Sequence, residues 1–174
     1  MNINSKNIYI IYLFLYFSLL VGFYFNEDFG VGYESDYTQH KLYVALFQED
    51  FISTLLNFNK FTTSHSPIYY IFFLFLEKVS FGETFARLIN LHFSLLIPYF
   101  FYLCIKLKYK FQKSNLIILI PSIIFFSPYF RSSSIWMGSE NLSLIFLLIS
   151  FYFFLKYESN EEGNLSYILS NVFF

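Results

Sequence analysis

Residues 106–113 read KLKYKFQK, four lysines in eight positions with no acid among them. On either side stand the runs Leu88 to Ile105 and Ser114 to Phe130, long and free of Asp, Glu, Lys and Arg. A basic cluster between two such runs marks a cytoplasmic loop joining membrane helices, because Lys and Arg next to spans stay on the cytoplasmic side. The composition agrees. Of 174 residues 56% are hydrophobic and 13% charged, and the apolar residues arrive in blocks that a soluble domain cannot bury.

Ile8 to Phe25 and Asn141 to Leu155 supply two further candidate spans, and a run from Leu165 begins a fifth. A crossing helix needs about 20 mainly apolar residues, with about 17 as a lower bound. The segment Pro67 to Gly82, PIYYIFFLFLEKVSFG, falls short, since its uncharged part ends at Leu76 before Glu77 and Lys78. Parity decides its fate. Lys6 sets the amino terminus in the cytoplasm, so an even number of crossings separates it from Lys106. Ile8–Phe25 and Leu88–Ile105 make two; adding Pro67–Leu76 would strand four lysines outside. The short segment is therefore expected as an interfacial or shallow re-entrant helix.

The expected fold is all-α, a polytopic transmembrane helix bundle with interfacial helices in its first external loop. One membrane domain spans 1–174, and 26–87 is the external loop. A cleaved signal peptide is not expected, because Ile8–Phe25 outruns an ordinary h-region and FYFNEDF lacks a small-x-small site. The turn RSSSIWMGSE returns to the outer side.

The external loop opens with NEDFGVGYESDYTQH, residues 26–40, four acids in its first eleven positions. From Ser35 the pattern turns helical: Ser35 or Asp36 is the expected cap, Gln39 stands three residues after Asp36, and Tyr37, Val44, Phe47 and Phe51 share a face. The stretch NFNKFTTSHSP then breaks the helix with turn-forming residues ahead of Pro67.

Candidate chemistry concentrates on that side. Asp36 and His40 are four apart on one helix face. A carboxylate there suits a general base, and Asp with His suits a divalent metal, so metal dependence stays open. Against this, Asp36 is a good cap and Glu34 an ordinary solvated charge. His65 precedes the proline of the interfacial helix, where it could meet a phosphate or simply face solvent. Arg87 and Arg131 lie at outer ends of membrane helices, suited to a lipid phosphate or to snorkelling. Glu140 opens a helix, as the dipole favours. Each residue taken alone favours the structural role; their common side of the membrane is what points to function. His92, inside an apolar run, is expected to pack against another helix.

A net charge of −1 gives no basic surface for nucleic acid. Cys104, the only cysteine, excludes an internal disulfide and a cysteine-rich metal site.

The order of these features resembles the polytopic GT-C glycosyltransferases, the group of protein O-mannosyltransferases and lipid A aminoarabinose transferases. That group tends to carry an acid in the first external loop, then His-Pro-Pro or Lys-Pro-Pro before Leu-Tyr-Tyr, then Phe-Gly, an acid, Ala-Arg-Leu and a basic cytoplasmic loop. Here the corresponding residues are Asp36 or Glu34, HSPIYY from His65, Phe81-Gly82-Glu83 and Ala86-Arg87-Leu88; SPYFRSSSIWMGSENLSLIF is similar to the next outer turn, with Glu140 opening a helix. Ser66 replaces the first proline, and Glu34-Ser35-Asp36 replaces the usual Asp-Glu pair, so both acids stay candidates.

The resemblance covers Ile8 to about Tyr157. It implies inverting transfer from a polyprenyl-phosphate sugar to a lipid, glycan or protein acceptor at the outer face of a membrane, with the bacterial plasma membrane the expected place. Asp36 (or Glu34) would be the base, with His65, Arg87 or Arg131 at the donor phosphate and His40 and Glu140 beside them. Such enzymes run to several hundred residues, so the chain is expected to be an amino-terminal part. The competing expectation is a non-catalytic membrane protein, an assembly partner or a transporter fragment. A transporter would set charges near the bilayer midplane, and His92 is the one clear candidate there.

Overall fold

The fold is that of a computed structural model, which describes residues 5–29, 32–63, 65–80, 82–109 and 116–159. Among these every regular element is helical: α1 (Ser5–Tyr24), α2 (Tyr33–Glu49), α3 (Phe51–Leu56), α4 (Pro67–Val79), α5 (Glu83–Ser94), α6 (Leu96–Tyr109), α7 (Leu116–Leu119), α8 (Pro128–Ile135) and α9 (Ser139–Glu158), with 3₁₀ turns at Phe58–Lys60 and Ile120–Phe126. Lys110, Lys113, the start of the run at Ser114, Phe81 and the run from Leu165 lie outside the described residues.

Two helices are long and apolar enough to cross a membrane: Glu83–Tyr109, 27 residues, and Ser139–Glu158, 20 residues. At about 1.5 Å per residue each reaches the roughly 30 Å of a hydrocarbon core. The first is α5 and α6 end to end, interrupted at Leu95. Pro98 explains the interruption: it has no N–H for the Ser94 carbonyl and its ring crowds that oxygen. The apolar part of α1, Ile8–Tyr24, is shorter.

The run Ser114–Phe130, expected as a span, is not one continuous helix among its described residues. After α7 the chain tightens into 3₁₀ geometry over Ile120–Phe126 and then bends by 71° into α8, so the pair makes a third crossing only as a broken span. Two prolines cause this. Pro121 removes a donor at the change of helix type, and Pro128 holds Ser127 extended, at φ −73° and ψ 121°, from where the Ser127 hydroxyl caps α8 by accepting the Phe130 N–H at 3.3 Å. The residues RSSSIWMGSE are accordingly more than a turn, since α8 and Trp136 and Met137 after it are buried from Phe130 onward.

Side-chain pairs fix which ends lie together. Asn141 Nδ2 donates to Ser94 Oγ at 3.1 Å, the Cys104 thiol sits 3.7 Å from the Leu148 carbonyl, and Lys108 pairs with Glu158 at 3.8 Å, so α5–α6 and α9 run side by side in the same direction. Arg87 donates to Asn26 and the Trp136 indole N–H to the Glu27 carbonyl, which brings the carboxyl end of α1 to the amino ends of α5 and α9. The molecule thus has a lysine end and an acid- and histidine-rich end. Helix α4 is 13 residues, about 20 Å, and packs against α2 at the second end.

The buried face of α2 is Tyr33, Tyr37, His40, Val44 and Phe47, the i, i+4, i+7 spacing of an amphipathic helix. Phe51, expected on that face, begins α3 instead and is exposed. Asp50 causes the break, its carboxylate capping α3 through the Ser53 N–H at 3.0 Å.

Candidate functional site

The site is organised by the cap of α2, which is neither Ser35 nor Asp36. Asp28 accepts the N–H groups of Tyr33 at 3.0 Å and Glu34 at 3.4 Å, and Gly32 takes the left-handed backbone, φ 84°, that the entry requires. The helix therefore starts earlier than expected, and Glu34 and Asp36 stand exposed in its first turn, where carboxylates suit the helix dipole. One turn on, His40 points inward and is 8% exposed.

His65 comes to meet it from the extended segment before α4. Its N–H donates to Thr63 Oγ1 at 3.2 Å, and its Nδ1 lies 3.0 Å from Ser139 Oγ at the start of α9. The His40 and His65 rings stand edge to face with centroids 4.7 Å apart, and Tyr69 completes the cluster 5.1 Å from His40. Tyr69 is held by its hydroxyl, which donates to the Met137 carbonyl at 2.7 Å. Glu140, next to Ser139, is exposed on the same side. Three separate stretches of chain thus bring Asp36, His40, His65, Ser139 and Glu140 together.

The electrostatics follow from burial. His40 is pushed down to about 4, first by loss of water and then by the facing His65, with Asp36 and Glu140 pulling the other way. Burial likewise raises the Tyr69 and Tyr33 phenols, with Glu140 adding to both. At neutral pH His40 is therefore uncharged, with Asp36 and Glu140 the acids that act on it. Among the described residues no three His, Cys, Asp or Glu side chains are grouped to hold a metal ion.

Both arginines are bound by internal partners, and Arg87 lies within electrostatic reach of Tyr37 and Glu34 on α2. Arg87 Nε donates to the Ile135 carbonyl and Nη2 to Asn26 Oδ1, both at 2.9 Å, with its guanidinium 3.7 Å from the centre of the Trp136 ring. Arg131 binds Glu27 and Ser18. His92 accepts or shares the Tyr16 hydroxyl proton at 2.9 Å across to α1, in keeping with helix packing.

Sequence reasoning missed Asp28, Glu27 and a buried amide network. Asn90 donates to the Ser133 and Ser134 carbonyls, and Asn141 to Ser94, Ser134 and the Phe130 carbonyl. The signal was present: an asparagine inside an apolar run must find partners there.

No family model matches this chain, and no curated protein or solved structure does either.

Proposed function

We propose that this chain carries the outer-face catalytic residues of a membrane glycosyltransferase that moves a sugar from a polyprenyl-phosphate donor to a lipid, glycan or protein acceptor. The observation that carries the reading is the convergence of Asp36, His40, His65, Ser139 and Glu140 at one end of an apolar helix bundle. A lipid-linked donor needs that combination, an apolar flank for its tail and a polar site at the edge for its head.

In this mechanism Asp36 takes the proton of the acceptor hydroxyl as its oxygen attacks the anomeric carbon. The bond from that carbon to the phosphate oxygen breaks, and polyprenyl phosphate departs with the electron pair. His65, whose Nδ1 is fixed by Ser139, meets the departing phosphate. Arg87 and Arg131 join it only by exchanging their present partners. Glu34, on the neighbouring exposed position, is the alternative base. The working membrane is a bacterial plasma membrane, with the amino terminus in the cytoplasm.

The test is transfer from a polyprenyl-phosphate hexose by the chain with any continuation of its reading frame, purified into nanodiscs. Asp36→Asn keeps shape and removes the base, and general-base loss is worth about 10²- to 10⁴-fold. Transfer unchanged in both Asp36→Asn and Glu34→Gln would sink the proposal. The internal engagement of both arginines favours a second reading, a non-catalytic membrane protein whose cations serve only its packing, and that result would select it.

A further inference from the structure

Four atoms beneath the histidine pair form a line with a direction. The His65 backbone N–H donates to Thr63 Oγ1 at 3.2 Å, Thr63 Oγ1 lies 2.6 Å from the Tyr70 hydroxyl, and that hydroxyl lies 3.4 Å from His40 Nδ1. A hydroxyl has one proton to give. If Thr63 gives its proton to Tyr70 and Tyr70 gives its own to His40, every proton in the line has an acceptor. In the reverse order Thr63 Oγ1 accepts twice, and its proton has no partner among the described residues. The forward order leaves His40 Nδ1 as an acceptor, so a neutral His40 carries its proton on Nε2. That nitrogen has no partner among the described residues and is not sealed from solvent.

We infer that Thr63 and Tyr70 are positioning residues that hold His40 in its Nε2–H tautomer, making it a hydrogen-bond donor to a hydroxyl oxygen of the transferred sugar. The sugar, in this assignment, rests on the glycosyltransferase reading; the tautomer does not. Groups from each packed element agree. Asp36 on α2 and Glu140 on α9 are acceptors near His40, and Tyr69 on α4 packs against its ring, which leaves hydroxyl groups as the fitting partners at that nitrogen. A metal is disfavoured at His40, because a ligating nitrogen must present a lone pair and the Nε2 proton occupies it.

Nitrogen-15 NMR of histidine-labelled protein in nanodiscs reads the tautomer directly. The expected result is neutral His40 protonated at Nε2 at pH 7 in the wild type, a mixture of tautomers in Tyr70→Phe and Thr63→Val, and return to one tautomer in Thr63→Ser. An Nδ1-protonated wild type, or a tautomer unmoved by Tyr70→Phe in a folded sample, overturns the positioning role. Adding a polyprenyl-phosphate hexose should shift the His40 Nε2 signal while bare polyprenyl phosphate leaves it in place. Equal shifts, or none from either lipid, overturn the sugar assignment. Transfer activity that persists beside an unmoved tautomer defeats this inference alone; absence of transfer beside the expected tautomer defeats the enzyme reading alone.

Discussion

The Arg131 guanidinium grips the Glu27 carboxylate with two hydrogen bonds, Nε to Oε1 at 2.5 Å and Nη2 to Oε2 at 2.8 Å. The two residues are 104 positions apart, and the pair ties the carboxyl end of α1 to α8. Arg131 also donates to the Ser18 hydroxyl and carbonyl, so nearly all its donors are used inside the fold. Both side chains are largely buried, 10% and 18% exposed.

Removing one partner of such a pair strands the other charge. Glu27→Ala should cost about 3–5 kcal/mol, whereas replacing both partners, as Glu27→Leu with Arg131→Met, should restore most of that stability. Denaturant titration in detergent measures each. A single Glu27→Ala variant as stable as wild type would mean that Arg131 is solvated and the tie carries nothing.

Gly22 is the companion of this ion pair. A Cβ there would stand 2.3 Å from Glu27 Oε2 and 3.0 Å from Arg131 Nη2. Alanine for glycine inside a helix ordinarily gains about 1 kcal/mol, so the prediction is a reversed sign. Gly22→Ala should lower Tm in the wild type and raise it in Glu27→Ala, where the obstructing carboxylate is gone. The same effect in both backgrounds would contradict the packing argument.

What the sequence made legible divides by range. The all-helical class, the apolar helices at Glu83–Tyr109 and Ser139–Glu158 and the helical face of α2 follow from periodicity and charge, which act over a few residues, and Tyr37, Val44 and Phe47 lie as their spacing predicts. The cap did not, because Asp28 reaches α2 across a Gly32 turn that no spacing rule encodes. The span expected over Ser114–Phe130 is broken because Pro121 and Pro128 override its hydropathy. For Arg87 and Arg131 the sequence suggests a lipid phosphate or snorkelling, and their internal partners, Glu27 and the Ile135 carbonyl, are too distant in sequence to be foreseen. His40 and His65 were separate candidates; only the tertiary fold makes them neighbours.

The arrangement of ends predicts a labelling pattern. If the acid- and histidine-rich end faces outward, as the lysine cluster argues, single cysteines at Ser53 and Ser80 should both react with an impermeant thiol reagent added to intact cells. A cysteine at Lys108, beside Glu158 at the other end, should react only after permeabilisation. Labelling at Ser80 and protection at Ser53, or the reverse, would show that α4 crosses and that the parity argument fails.

His40 should leave its mark on stability as a function of pH. Folded, it titrates at about 4 against an ordinary 6.5, so between those values the unfolded chain holds a proton that the folded chain does not. Stability must then fall as pH drops from about 6.5 to about 4, by up to about 3 kcal/mol from this group, and show no further change from it below. Carboxylates titrate in the lower part of the same window, so the measurement is a comparison. Unfolding free energy followed from pH 7 to 4 should decline more steeply in the wild type than in His40→Gln, which has nothing to protonate. Parallel curves would show that His40 accepts a proton in the fold as readily as in water, and would remove the reason for treating it as a neutral donor.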